Sequence, residues 1–531
     1  MGSVGNSIVS MMTPDNLTPV LLTNEQPAAA SPKLSPLDED FAKLVQSTLD
    51  KWHIEGVAVA VVDGDDTWSE GYGIAALPNT PVRPSTLFYT GSTTKTFTAA
   101  AASLLVDDDQ NYPHIKWTTP LNQIIREDFV LEDEYATSHV TLEDALSHRT
   151  GLPGHVLTLG APGTLQDVAR GLRHLKMNKE IRTKWQYQNA MFVTLSYMIE
   201  TVTGEWLGDF FRKRLWEPLG MNSTFLSLED AQRYVGSDEN DIVLAKPYDW
   251  DEATSTSKEI PYMEGAVSGA GMAISNVLDY AKYIRSMIRK SGPLSQEGYA
   301  ALLEPRSIVQ PSVFPQFKTL LYSLGWFVAS YHGETIIFHP GGLDGFTSTM
   351  IYLPDRDWGV VVFCNRAGPG RETLAWHLID ELLNVPKAER VDLWDLTEKS
   401  LAAAREQRAT AVQRLYPGAP SPGLPTALPL AEYAGQYKHP TYPALSIALT
   451  PDDEPQLEVT VTGTMHAKLN LKHASGDYFI AEVLMYLHSV EPTACITAEF
   501  QINAQGKVAR FGTALDFQDM PETTIWFDRS D

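Results

Sequence analysis

Cysteine is nearly absent from this sequence, with Cys364 and Cys495 the only two in 531 residues. Two thiols cannot form a disulfide framework for a chain this long, and their wide separation favours two buried free thiols over one bridge. Long apolar runs are absent too: no stretch approaches the ~20 apolar residues that a membrane helix needs. The opening segment, MGSVGNSIVSMMTPDNLTPVLLTNEQPAAASPKLSP, has no basic patch and no sustained apolar run, and so makes a poor signal peptide. Gly2 suits a myristoylation pattern, but that pattern wants Ser or Thr where Asn6 stands. A cytoplasmic protein with no membrane partner is therefore expected. Positive charge is in short supply, and a formal net charge of -25 disfavours nucleic acid, whose phosphates the average surface would repel.

Several chemical signatures are also missing. Without a G-x-S-x-G elbow, an α/β-hydrolase is disfavoured. Without H-E-x-x-H or clustered Cys/His spacing, no metal is expected, and no cofactor motif is found. No G-x-x-x-x-G-K-[ST] loop occurs, and Gly71-Tyr72-Gly73 reads as a hairpin turn, not a phosphate cradle. Asn222-Ser223-Thr224 has the glycosylation pattern, which carries no meaning without secretion.

What is present is ample core material: 43% hydrophobic and 20% charged residues describe a globular chain, long enough for two or three folded units. Residues 1–37 are polar and rich in Pro, Ser and Asn, and read as a loose tail. Residues 38–385 mix helix and strand patterns. Residues 386–425 hold a run of helix formers and then YPGAPSPGLPTALP, a proline-rich linker. Residues 426–531 show short alternating segments such as LEVTVTG, YFIAEVL and CITAEFQIN, which predict a small antiparallel sheet or barrel.

Three segments of the mixed region carry chemistry. In TLFYTGSTTKTFTAAAASLLVDD, Gly91 and Ser92 follow a short strand, and Thr96 to Val106 is a strongly apolar helix. Residues i and i+3 share a helix face with Cβ atoms ~5–6 Å apart, so the Lys95 amine can reach the Ser92 hydroxyl. Positive potential at the helix start lowers the lysine pKa and favours a developing anion there. A free serine hydroxyl is a weak nucleophile and needs such a neighbour. In WQYQNAMFVTLSYMIETVTG, Tyr187-Gln188-Asn189 stands just before a helix. As packing residues these would be a core tyrosine and a capping asparagine. As functional ones, Tyr187 would be a phenol relaying protons near Ser92 and Lys95, with the Asn189 amide orienting lysine and substrate. In TIIFHPGGLDGFTSTMIYLPDRDWGVVVFCN, strands flank His339-Pro340-Gly341-Gly342, where glycines permit the close backbone approach of an oxyanion site or a substrate strand.

S-T-T-K, Y-Q-N and H-P-G, in that order, resemble the S-x-x-K, Y-x-N and H/K-x-G set of the serine β-lactamase and penicillin-binding-protein superfamily, in its class C and esterase/peptidase branch. LEDALSHRTGLP at 142–153, VSGAGMAISNVLDYAKYI at 267–284 and SLGW at 323–326 look like the same family. The segment from AEYAGQYKHPTYPALSI onward resembles the lipocalin-like barrel that follows some members. The resemblance implies an α+β, β-lactamase/transpeptidase-like fold: an antiparallel sheet of five or more strands flanked by helices, with an inserted helical subdomain and a C-terminal all-β barrel.

It also implies roles. Ser92 would attack the carbonyl, while Lys95 and Tyr187 shuttle the proton. Asn189, His339 and Gly341 would position the substrate, and the backbone N–H groups of Ser92 and Gly342 would form the oxyanion hole. His148 would be structural in its loop. His339 stands where many lactamases carry lysine, and a mostly neutral histidine makes an anionic substrate doubtful. The expected activity is hydrolysis of a small-molecule ester or amide through a Ser92 acyl-enzyme. An alcohol acceptor in the second step would make the same site an acyltransferase, and loss of the chemistry would leave a scaffold. Self-association is left open, and the barrel is expected to limit substrate size.

Overall fold

The computed structural model describes residues 33–530, apart from 238–241, 315, 452, 464–466, 486–491 and 517–518. The tail expected over 1–37 lies outside the described residues as far as residue 32. Helix α1 (Glu39–Trp52) starts where the Asp38 carboxylate accepts the N–H groups of Asp40 and Phe41, at 3.0 and 2.9 Å. It ends at His53, whose left-handed backbone (φ 52°) lets its N–H reach the Leu49 carbonyl. Strands β1 (Gly56–Asp63) and β2 (Asp66–Ala76) form a hairpin that turns at residues 64–65, and β3 (Thr80–Pro81) pairs with β2. Gly71-Tyr72-Gly73 therefore lies inside β2 and is no turn. A Cβ at Gly71 would come within 2.4 Å of the Val82 carbonyl oxygen, and Gly73 sits at φ 72°. The glycines serve close strand approach and an irregular register beside β3.

The rest of the sheet comes from the second half of the mixed region: β4 (Ser307–Ile308), β5 (Leu320–Tyr322), β6 (Phe327–Tyr331), β7 (Glu334–Leu343), β8 (Phe346–Leu353) and β9 (Trp358–Cys364). The order is β3-β2-β1-β9-β8-β7-β6-β5-β4, nine strands, and every pairing is antiparallel. The middle strands are buried on both faces, which is why VAVAVVD and WGVVVFC read as unbroken apolar runs. Their alternate residues enter different cores. Val57, Val59 and Val61 join Phe41, Val45 and Leu49 of α1, along with Leu374 and Ile379 of a later helix. Ala58, Ala60 and Val62 face the other way, toward Phe97 and Tyr280.

That second core contains α2 (Thr94–Asp107), which continues from a 3-10 turn over Gly91–Thr93. The helix thus begins two residues before the expected Thr96. Ala99 to Ala102 are wholly buried, small enough to let α2 run through the centre of the molecule. Helices α3 (Asn189–Thr203) and α4 (Val277–Arg289) pack in the same core, and α5 (Gly370–Leu382) covers the opposite face of the sheet. The regular structure between α2 and β4 is mainly helical; within it 248–251 pair with 256–259, and 274–275 pair with 88–89, which precede α2.

Helices α6 (Leu393–Ala409) and α7 (Ala411–Leu415) and the proline-rich segment lead to the C-terminal strands. These are β10 (Gly435–Lys438), β11 (Ala444–Leu449), β12 (Leu457–Thr462), β13 (Lys468–Ser475), β14 (Tyr478–Leu484), β15 (Ala494–Ile502), β16 (Val508–Thr513) and β17 (Ile525–Arg529). Each pairs with the next, and β17 returns to β10 through Tyr437↔Arg529 and Lys438↔Asp528, so the barrel is closed and leaves no sheet edge. Its inside is packed with rings: Phe500 lies 4.9 Å from both Tyr433 and Phe511, and 5.5 Å from Phe479, centroid to centroid. The two thiols are free; Cys364 is buried, but Cys495 is only half-buried, because it points off the outer face of β15. Among the described residues no helix is long and apolar enough to cross a membrane.

Candidate active site

Ser92 lies in the 3-10 turn that opens α2, where Gly91 takes a positive φ of 55°. Strand β7 crosses immediately above. A Cβ on Gly91 would meet the Gly342 nitrogen at 2.5 Å, and one on Gly341 would meet the Thr90 carbonyl oxygen at 2.0 Å. Only glycine fits at either position, which accounts for Gly91 and for Gly341, whereas a Cβ on Gly342 would meet nothing nearer than Arg371 Nη1 at 3.9 Å. The turn is held by hydroxyls: Ser348 Oγ donates to the Thr90 carbonyl (2.5 Å), Thr94 Oγ1 to the Gly91 carbonyl (2.7 Å) and Tyr280 Oη to Thr90 Oγ1 (2.8 Å). Ser92 itself is half-exposed and Gly342 is exposed, so the serine hydroxyl and this stretch of β7 are both open to a substrate.

Lys95 is fully buried, and its Nζ touches Ser92 Oγ at 3.0 Å, Asn189 Oδ1 at 2.6 Å and the Ala270 carbonyl oxygen at 2.7 Å. Burial pulls its pKa well below that of an ordinary lysine. A neutral amine has two N–H groups and one lone pair. In its neutral form Lys95 would give both hydrogens to Asn189 Oδ1 and the Ala270 carbonyl, which can only accept, and keep its lone pair for the Ser92 hydroxyl. No acidic partner is needed for this arrangement.

Tyr187 completes the group. Its ring lies 4.8 Å from Lys95 Nζ. Burial raises its pKa above the ordinary phenol value, outweighing the opposing effect of the Ser92 hydroxyl. Burial thus favours the neutral phenol here as it favours the neutral amine at Lys95. Asn189 is the first residue of α3, and the cap is Gln188, not the asparagine: Gln188 Oε1 accepts from the Ala190 N–H at 2.7 Å. Gln188 also gives its backbone N–H to His148 Nδ1 (3.0 Å) and its side-chain N–H to the Pro153 carbonyl (2.6 Å). His148, buried at φ 57°, lies 4.3 Å from the Tyr187 ring and so braces the tyrosine from behind.

His339 is buried behind this group. Its Nδ1 is 2.6 Å from the Pro340 carbonyl, which only accepts, so Nδ1 carries the proton and Nε2 accepts from Tyr322 Oη at 3.0 Å. Burial, and then the Lys95 charge, pull its pKa down to about 3. A neutral ring with both nitrogens engaged has no N–H to offer a substrate, so His339 acts on this region through the backbone and rings it holds. Gly341 plays its part as a spacer, and Arg371 Nη1 donates to its carbonyl. Ser92, Lys95, Tyr187 and Asn189 are thus brought together, Gly341 and Gly342 lie over them, and His339 stands one layer back.

Pattern reading missed several members of the site. The Ala270 carbonyl lies inside VSGAGMAI and Tyr322 just before SLGW, but no residue type marks either as a contact. Also missed is a cavity of about 560 Å³ beside Tyr187 and Asn189, whose other lining residues include Trp185, Val313 and barrel residues from Val483 to Asp519. The barrel is fastened beside it by Asp516 and Asp519, which accept the N–H groups of His155 (2.9 Å) and Gly154 (3.2 Å). Among the described residues, no group of three or more His, Cys, Asp or Glu side chains is arranged to hold a metal ion.

Comparison with known proteins places the fold in a family. Residues 41–384 match the model of the beta-lactamase family, and residues 419–529 match a domain of unknown function (DUF3471). Over 504 residues the chain is 40% identical to a protein of Aspergillus campestris named unguisins hydrolase ungD', covering 93% of this chain and 92% of that one. Among solved structures, an octameric penicillin-binding protein homologue from Pyrococcus abyssi superposes with TM-score 0.60 at 18% identity, covering 92% of this chain and 99% of the other. A D-amino acid amidase from Ochrobactrum anthropi, complexed with L-phenylalanine amide, covers 66% of this chain and all of its own, with TM-score 0.52 at 22% identity.

Proposed function

Because the chain belongs to the beta-lactamase family, a family of serine hydrolases, we propose that it hydrolyses an amide through an acyl-enzyme on Ser92. The observation that carries this reading is the 3.0 Å contact between Lys95 Nζ and Ser92 Oγ, with acceptor-only atoms on the other two sides of the amine. The relative named unguisins hydrolase supports hydrolysis, and amide is preferred to ester because one fold neighbour bears the name amidase.

In the first half-reaction Ser92 Oγ bonds to the carbonyl carbon as its proton passes to the neutral Lys95. The carbonyl oxygen becomes an oxyanion, for which the N–H groups of Ser92 and Gly342 are the donors. The proton then moves from Lys95 through the Tyr187 hydroxyl to the leaving nitrogen, which departs as the amine. Tyr187 suits that relay because it stays protonated and can donate as it accepts. In the second half-reaction water attacks the Ser92 ester and gives a proton to the same pair of groups. The acid leaves and the serine regains its hydrogen. Asn189 keeps the lysine lone pair aimed, and the neutral His339 adds no positive charge to draw in a carboxylate.

Intact-protein mass spectrometry after treatment with a fluorophosphonate tests the nucleophile. One phosphonyl adduct, mapped to Ser92 and missing from Ser92→Ala, is the expected result. An adduct elsewhere, or an equal adduct on the folded Ser92→Ala chain, would overturn the assignment.

A further inference from the structure

The cavity beside Tyr187 and Asn189 has walls from two different folds. One wall carries Val156, Trp185 and Val313; the other carries Val483, Ile496 and Leu515 of the barrel region. Val483 lies in the same row as Phe479 and Ala481 along β14, and Ile496 in the same row as Ala498 and Phe500 along β15. Those rows face the barrel's interior, where the rings of Phe479 and Phe500 meet. Val483, paired with Ala494, therefore lies at one end of the barrel's inward-facing rows, and Ile496 stands one step further in. The interior beyond them is filled by aromatic rings and offers no bore for a ligand. What stays open is the mouth, and it faces the groups that surround Ser92.

Three features of the cavity describe its occupant. Its volume falls within the ~300–1,000 Å³ range of small-molecule pockets. Val313 and Val156 in the opposite wall are 54% and 38% exposed, apolar side chains left for an apolar ligand to cover. Asp516 and Asp519 also line the cavity together with Lys184, whose charge acts on Asp519, so an occupant meets both signs of charge at its polar end.

We propose that the barrel mouth is the specificity wall of the active site. It selects peptide-like amides with a bulky apolar side chain that packs against Val483, Ile496 and Leu515. The proposal rests on Ser92 as the nucleophile only for its place in the reaction; binding reads the wall independently.

The test is calorimetric titration of the full-length Ser92→Ala chain with two probes, N-acetyl-Gly-Gly-amide and N-acetyl-Phe-Leu-amide. Burying two apolar side chains should make the second bind at least about tenfold more tightly. Thr493, exposed at the same mouth, can be replaced by Trp without entering the core. In Ser92→Ala/Thr493→Trp the preference should fall to about twofold or less as the ring fills the mouth. Ile496→Ala in the same background should weaken the Phe-Leu probe by about fivefold and leave Gly-Gly unmoved. Equal affinity for the two probes in Ser92→Ala, or a preference that survives Thr493→Trp in full, would overturn the proposal. Selective binding by a chain whose Ser92 never takes a fluorophosphonate would uphold the wall and sink the catalytic reading.

Discussion

The open sheet and the closed barrel bury their strands in opposite ways, and the difference decides what each can contribute to the site. In the sheet, β1, β8 and β9 are covered on both faces, and alternate residues feed two separate cores. A polar group placed in such an interior is far from water. Burial consequently pulls the pKa of Lys95 well down, that of His339 to about 3 and that of Tyr187 up, without any countercharge arranged for the purpose. In the barrel one face of most strands looks outward, as the alternation along β15 shows, and the inner face is spent on packing aromatic rings. β14 departs from that rule because the linker covers its outer face, where Arg408 reaches Glu482 at 2.9 Å and Tyr416 Oη donates to the Phe479 carbonyl at 2.9 Å. On the proposed reading the sheet side supplies chemistry and the barrel supplies shape.

The largest effect should come from restoring charge on the sheet side. Lys95→Arg keeps a long cationic side chain but places a permanently protonated group where a base is needed. Turnover of an amide substrate should fall about 10³-fold with the fold intact, measured by steady-state kinetics alongside far-UV circular dichroism. A fall of only a few-fold would mean that another group accepts the serine proton. The smallest effect should come from the barrel's anchorage. Tyr442 Oη lies 2.6 Å from His155 Nδ1, while His155 Nε2 is 2.9 Å from the Lys176 carbonyl. The carbonyl can only accept, so the histidine is the acceptor of the tyrosine hydroxyl. Tyr442→Phe leaves that buried nitrogen without a partner, and urea unfolding should show a loss of about 1–2 kcal/mol. No change in the urea midpoint would mean that other contacts hold the barrel in place.

Much of the sheet side was legible in the sequence because catalysis there demands particular residue types at particular spacings. Ser92 and Lys95 had to be three apart at a helix start, Tyr187 and Asn189 had to precede a helix, and two glycines had to let β7 pass over Thr90 and Gly91. The barrel was legible as a barrel, since alternation and turn residues are local properties. Which end of it meets the site was not, because period-two alternation is the same at both ends of a strand. His339 was legible as a position but misread as a group facing substrate, because the Tyr322 hydroxyl and the Pro340 carbonyl that occupy its nitrogens are set by folding. The Gly71-Tyr72-Gly73 turn failed for a related reason: glycine permits a turn, but here it permits a neighbouring strand.

The central claim is that burial alone makes Lys95 a base beside Ser92. The measurement that tests it most directly is the rate of fluorophosphonate labelling of Ser92 as a function of pH. The neutral amine is the active form and its pKa is depressed. The rate should therefore reach its plateau well below the ordinary lysine value of 10.5 and fall about tenfold per pH unit only below the lowered pKa. The raised pKa of Tyr187 should keep that plateau flat past the ordinary phenol value of 10.0. A rate that instead climbs through the ordinary lysine value of 10.5 would show a charged Lys95 at neutral pH and contradict the account.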